Sequence, residues 1–329
     1  MASPAAKRTR ADLRSGPIQF TDKAKLPQKE KGLIPETNLL LRRPGLEAIL
    51  APEAGGSIAR FDHVAADGAR VPVLRGAEPG VTDTLAMGCF PLVPYSNRIR
   101  DGRFSFRGRD VRIAPNMGSD PSPLHGDGWR SPWTVASQSD DEAVLTFDYA
   151  PVEWPWAYRA EQHFALDDRG LSVRLTCRNL ADGPMPCGLG QHPYFPCAAA
   201  TMLDTQVSHV WTIDRRVLPV EKIAATGHYD LRKRLICGQE LDNGFGGWGG
   251  EGWIRDPQWP FAVRLSSPDA VFFQVYSPAA GGLFAAEPVS HANAALNEPE
   301  ERWPALGLRI LDPGEEMALN MRLDVTPAE

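Results

Sequence analysis

The sequence lacks most of what would mark it for a membrane, for export or for a metal. Nowhere do eighteen consecutive apolar residues occur, and the first fifteen residues lack an apolar signal core, so neither a membrane span nor secretion is expected. The five cysteines, at 89, 177, 187, 197 and 237, form no C-x-x-C pair and are odd in number. That pattern predicts free thiols in a reducing compartment, hence a cytoplasmic protein. The seven histidines show neither H-x-H nor H-x-x-x-H spacing and no cysteine cluster supplements them, so no metal centre is expected. A phosphate loop ending in Gly-Lys-Ser/Thr is missing, as is the G-x-S-x-G elbow of serine hydrolases. Excess basic charge is missing too. A formal net charge of −6 offers no field for nucleic acid or anionic lipid, which leaves a small neutral or weakly polar ligand as the expected partner.

Helical periodicity is scarce, and period two takes its place. Leu171 to Arg178 and Met317 to Val325 alternate strictly, and Leu145, Phe147 and Tyr149 share one face of another short run. Thirty prolines and thirty glycines punctuate these runs, favouring short strands joined by turns over long helices. Runs Leu46–Leu50 and Ile58–Phe61 flank Glu53–Ser57 and read as a hairpin around a glycine turn; a second hairpin is expected around Gly108. At 43% hydrophobic residues the chain can bury a real core, and the predicted fold class is all-β, a large antiparallel sandwich. Residues 1 to about 36 carry eight Lys and Arg against four acids and almost no apolar pattern, and are expected to be a disordered, dispensable basic extension. Residues 37–329 show no repeat and no composition break, which predicts a single domain.

Five segments carry polar residues that packing alone does not require. Pro94–Phe104 holds Asn97 and Arg98; an arginine there can fork two hydrogen bonds onto hydroxyls or form a surface ion pair. Pro123–Trp129 offers His125 and Trp129 among glycines that would let backbone approach a ligand, or make a tight turn. Cys187–Cys197 sets His192 among aromatics and prolines, where an imidazole is aimed rather than mobile and can pass a proton at neutral pH, or serve as a packed core histidine. Leu241–Trp248 reads as a glycine-rich loop with Asp242 as a ligand or an Asx turn. In Leu283–His291, Glu287 directly follows an apolar strand-like run. A carboxyl at the end of a buried strand is costly unless paired or used, and desolvation raises its pKa toward that of a general base. On the preceding strand Gln274 shares a face with Phe272 and Tyr276, as a sugar-hydroxyl ligand or on a solvent face.

Taken in order, Asn97-Arg98-Ile99 with Asp101 to Phe104, Leu124-His-Gly126, His192-Pro-Tyr-Phe195, Leu241-Asp242 before Trp248, Gln274-Val-Tyr276 and Glu287-Pro288 resemble the aldose 1-epimerase (galactose mutarotase) family. The resemblance runs from about residue 40 to the C-terminus, and Cys89 to Arg98 suggests a bacterial subgroup of uncharacterised specificity. It implies the galactose-mutarotase supersandwich and interconversion of the α and β anomers of a free aldose without cofactor or metal. It makes Glu287 the base at the anomeric hydroxyl, His192 the acid at the ring oxygen, and Asn97, Arg98, His125, Asp242 and Gln274 sugar ligands. The family usually has Asn before the catalytic His and after Tyr-Phe; here Gln191, Pro193 and Pro196 are expected to alter the pocket wall. A sugar-binding sensor would not need both Glu287 and His192. A hexose-6-phosphate mutarotase would need a cationic site, for which Arg100, Arg103 and Arg130 are available.

Overall fold

Period-two patterning becomes sheet in the structure, a computed structural model that describes residues 37–328. The basic extension over residues 1 to about 36 lies outside them. Strands Gly170–Asn179 and Glu316–Pro327 contain the two strictly alternating runs and pair antiparallel without a slip, Leu171 opposite Leu323 and Leu175 opposite Leu319. Tyr158–Asp167 and Glu142–Tyr149 extend this sheet on one side, Phe261–Ser266 on the other, to nine strands in all. Alternation turns Leu171, Val173 and Leu175 inward and leaves Arg174 and Arg178 exposed. A second, eight-stranded sheet meets it through one core, in which Phe164, Leu175 and Leu319 pack with Phe245, Phe273 and Phe284. The fold is therefore an antiparallel β-sandwich, as its pattern requires. Among the described residues the helical elements are seven single turns of 3-10 helix.

Both expected hairpins form. Leu46–Ala51 pairs with Ser57–Val64, and Arg103–Phe106 with Arg109–Arg112. In the first turn Gly55 has φ +70° and a Cβ there would stand 2.0 Å from the carbonyl oxygen of Trp129, so no larger residue fits.

Three expectations are corrected. Leu241–Trp248 is not a loop: Leu241–Gly246 is a strand of the eight-stranded sheet. Its glycines answer a packing need, since a Cβ on Gly246 would meet the His209 ring at 2.3 Å. Glu287 does not end a strand but sits inside Leu283–Val289, where neighbouring strands supply its partners. Finally, Cys197 and Cys237 form a disulfide, and only Cys89, Cys177 and Cys187 are free thiols, all buried. The two paired cysteines lie 40 residues apart in sequence and are brought together beside Gly282, whose carbonyl accepts from Cys197 N–H and whose N–H donates to Cys237 Sγ. The argument from five thiols to a reducing compartment thus lapses.

Candidate active site

Strand register alone assembles half of the site. Gly190 pairs with Val289 and Tyr194 with Ala285, which sets His192 opposite Glu287; on its other side Glu287 pairs with Gln274, and Gln274 with Gly244. His192, in the gap between strands Gly190–Gln191 and Tyr194–Pro196, therefore lines up with Glu287 and Gln274 on neighbouring strands, and Gly244 ends the row without a side chain. Asp242, diagonal to Gln274, accepts a 2.8 Å hydrogen bond from its Nε2. His192 Nε2 stands 3.3 Å from Glu287 Oε1, with the two residues only 6% and 2% exposed.

Loops supply the other half. Asn97 and His125 hold each other: His125 N–H donates to the Asn97 carbonyl, and Asn97 N–H donates to His125 Nδ1, each at 3.0 Å. Because Nδ1 accepts, the neutral ring carries its proton on Nε2 and can donate from there. Both residues have positive φ, 57° and 63°, conformations that cost about 1–3 kcal/mol each and cluster where geometry serves function. The His125 ring lies 5.5 Å from that of His192, edge to face. Arg98 Nε donates to Asp120 Oδ2 at 2.9 Å, its Nη1 to Asn97 Oδ1 at 3.3 Å, and its backbone N–H to Asn293 Oδ1 at 3.2 Å. All seven candidate residues named from the sequence thus belong to one contiguous cluster.

Sequence reasoning missed several neighbours. Asp120 fixes the guanidinium, and nothing in its Gly-Ser-Asp-Pro surroundings distinguishes it from a turn residue. Phe90 and Tyr194, also missed, form an apolar cluster with Trp129 and Phe272, which the sequence did offer; Trp211 and Tyr276 lie at its edge. Phe90 and Tyr194 each lie 4.6 Å from the His192 ring. The glycines of the His125 segment make room for Val93 rather than for a ligand, since a Cβ on Gly126 would stand 2.2 Å from the Val93 carbonyl oxygen. Gln191, expected in the pocket wall, points the other way: its side chain bonds Cys89 and Gln162 in the core.

Electrostatics follow from burial. Desolvation raises Glu287 well above the ordinary carboxyl range; Asp242 reinforces this and Arg98 opposes it. Desolvation lowers His192, and the charge of Arg75 adds to the effect. His125 is lowered well below its usual value, first by burial and then by His192 and Arg98. Asp242 is raised by burial against the pull of Arg98 and Gln274. Burial thus disfavours charge on both members of the Glu287–His192 pair. Among the described residues no cluster of three or more His, Cys, Asp or Glu could hold a metal ion.

Comparison with known proteins shows the family and the fold. Residues 38–324 match the family model for aldose 1-epimerase. The uncharacterized Escherichia coli K12 protein YphB is 34% identical over 266 residues, covering 77% of this chain and 89% of that one. A solved crystal structure of a candidate aldose 1-epimerase from Escherichia coli K12 superposes with a TM-score of 0.80 at 31% identity, over 89% of this chain and 99% of that one. A galactose mutarotase-like protein from Clostridium acetobutylicum shares the fold with a TM-score of 0.76 at 19% identity, over 88% and 95% of the two chains.

Proposed function

The chain belongs to the aldose 1-epimerase family, and from that premise we propose that it interconverts the α and β anomers of a free aldose, with Glu287 as base and His192 as acid. The observation that carries this reading is the buried pair itself: a carboxyl and an imidazole 3.3 Å apart, facing a cluster of hydrogen-bonding side chains. Opening a hemiacetal requires one group to take the proton from O1 while another delivers one to O5, the C1–O5 bond breaking as the C1–O1 double bond forms. The open-chain aldehyde rotates about C1–C2, and reclosure on the other face returns both protons.

The proton count of the pair fits the cycle. Carboxylate with imidazolium begins the opening, and uncharged acid with neutral imidazole is what the opening leaves behind. Burial favours the second tautomer. The Arg98 charge favours carboxylate at Glu287, as do hydroxyl donors from a bound sugar, so one proton moving between two adjacent groups links the states. Asn97, Arg98, His125, Asp242 and Gln274 then hold the sugar hydroxyls. Because both anomers must bind, the affinity for each is modest.

An unphosphorylated aldose is the favoured class. Arg98 is already paired with Asp120, and neighbouring Arg216 with Asp101 at 2.5 Å, whereas a phosphate calls for fixed, unneutralised positive charge. Polarimetry on freshly dissolved single anomers of galactose, glucose, arabinose, xylose and a hexose 6-phosphate tests the reading. We expect at least one free sugar to relax faster than its spontaneous rate. No acceleration with any sugar, or acceleration of the phosphate alone, overturns it.

A further inference from the structure

The catalytic imidazole rests on two rings, and both are tied to one arginine outside the sugar-facing cluster. Arg75 follows strand Arg70–Leu74, and its guanidinium carbon lies 4.0 Å from the centroid of Tyr194, while its backbone N–H donates to the Tyr194 carbonyl at 2.8 Å. Tyr194 in turn stacks on His192 at 4.6 Å and 30°. The same guanidinium sends Nη2 to the carbonyls of Leu85 and Met87, 2.6 Å each. That segment runs on through Gly88, whose carbonyl accepts from Tyr194 N–H, to Phe90, whose carbonyl accepts from His192 N–H and whose ring is the other neighbour of the imidazole. One side chain therefore braces both walls of the slot that holds His192.

Arg75 is a poor choice for stability. Its Nε–H is buried without a partner, and burial lowers its pKa, so the cation is held at a cost that an apolar residue of similar length would not carry. We propose that Arg75 is a positioning residue for the acid–base pair, fixing Tyr194 and Phe90 against the His192 ring and placing a permanent positive charge one ring away from it. The inference rests on the mutarotase reading for its kinetic consequence but not for its structural one.

The groups that face His192 define what that charge competes with. Glu287 approaches Nε2 from strand Leu283–Val289, the His125 ring from the Asn97 loop, Cys89 from beside Phe90, and Tyr194 from the same segment as His192. Of these only Glu287 draws a proton toward the imidazole as its counter-ion. Burial is the larger force against a charged imidazole, and the Arg75 charge acts in the same direction.

The test uses Arg75→Met, which keeps the stem and removes charge and donors, and Arg75→Lys, which keeps the charge. In protein with 15N-labelled histidine, the His192 ring nitrogens, assigned against His192→Asn, report the passage from imidazole to imidazolium as the pH is lowered. We expect Arg75→Met to raise the midpoint of that passage, and of the imidazole-dependent limb of the rate profile, by about one unit, the size expected of a unit charge roughly 9 Å away at an effective dielectric near 20. Turnover should fall about tenfold with KM changed less than about threefold, since the reacting geometry loosens while the sugar ligands stay. Arg75→Lys should restore the ring-nitrogen midpoint. Arg75→Gln, which also removes the charge, should reproduce the Met result and serves if Arg75→Met does not fold. Unchanged ring nitrogens and turnover in a folded Arg75→Met protein, or in Arg75→Gln if that is the variant that folds, overturn the proposal. Mutarotation is read against Glu287→Gln as background: if the native protein does not exceed it, the proposed function falls, and the ring-nitrogen shift alone decides on Arg75.

Discussion

Strand Gly170–Asn179 of the nine-stranded sheet and strand Leu283–Val289 of the eight-stranded sheet pack on one core, yet they treat polar groups in opposite ways. The first sends its charges outward, where Arg174 lies 3.7 Å from exposed Glu316, and keeps an apolar inner face. The second is buried at six of its seven positions and holds an ionisable carboxyl among them. Its partner Phe272–Ser277 and the next strand, Leu241–Gly246, add a buried amide and a second carboxyl close by. Burying such groups costs stability unless they are fully paired, so a fold that gathers three of them relies on the rest of its core for free energy. The difference teaches that framework and chemistry are separable here by sheet, and substitutions can test how cleanly.

The largest effect is expected where the chemistry sits. Glu287→Gln should lower mutarotation by about two to four orders of magnitude, the usual worth of positioned acid–base catalysis, and His192→Asn should match it. The melting temperature of Glu287→Gln should hold or rise, because an amide replaces a carboxyl whose ionised form burial penalises. Calorimetry alongside polarimetry checks both halves, and a strongly destabilised Glu287→Gln protein would break the comparison. The reverse experiment is Leu175→Ala in the nine-stranded sheet. Leu175 is fully buried, and losing it should cost about 2–5 kcal/mol by denaturant titration while turnover per folded molecule stays within about twofold.

Between these lies Asp120→Asn, which weakens the charge-assisted bond holding Arg98 but touches neither proton-transfer group. KM should rise about tenfold with a smaller loss of turnover, because an orienting ligand serves ground state and transition state alike. A fall in turnover at unchanged KM would place Arg98 on the reacting centre instead.

The same division explains what could be read in advance. The strands of the nine-stranded sheet were legible because one face meets water and the other the core, which writes period two into Leu171 to Arg178 and Met317 to Val325. In the eight-stranded sheet Leu283–Val289 is buried at nearly every position, so it carries no alternation and Glu287 read as terminal, while Leu241–Gly246 alternates in burial but its Gly244 and Gly246 made it read as a loop. The seven candidate residues were legible chiefly because their motifs, taken in order, resemble a known family; locally Glu287 and Gln274 stand in apolar runs and His125 and Asp242 near glycines, whereas Asn97 and Arg98 lie in an ordinary polar segment. Asp120, Phe90 and Arg75 were not legible: their roles come from contacts between segments far apart in sequence, and locally they look like turn, core and surface residues.

The smallest effect is expected at the seam between the sheets. Gln191 directly precedes His192, and its departure from the usual family residue suggested an altered pocket wall. In the structure its Oε1 accepts from Cys89 Sγ at 3.3 Å and its Nε2 donates to Gln162 Oε1 at 3.2 Å, and Gln162 Nε2 donates on to the Gly56 carbonyl at 2.8 Å. Gln162 belongs to strand Tyr158–Asp167, so this buried chain joins the site sheet to the framework sheet behind the imidazole. Gln191→Asn, one methylene shorter, cannot keep both bonds and leaves a buried amide partner unsatisfied, a loss of about 1 kcal/mol. KM and turnover should stay within about twofold, since the Gln191 side chain bonds Cys89 and Gln162 rather than the sugar-facing residues. Replacing Gln191 and Gln162 together by Met should recover part of the stability, because a matched apolar pair leaves fewer orphaned groups than a broken polar one. A several-fold change in KM for Gln191→Asn would mean that the pocket wall does extend through the sheet, and that site and framework are not separable at this seam.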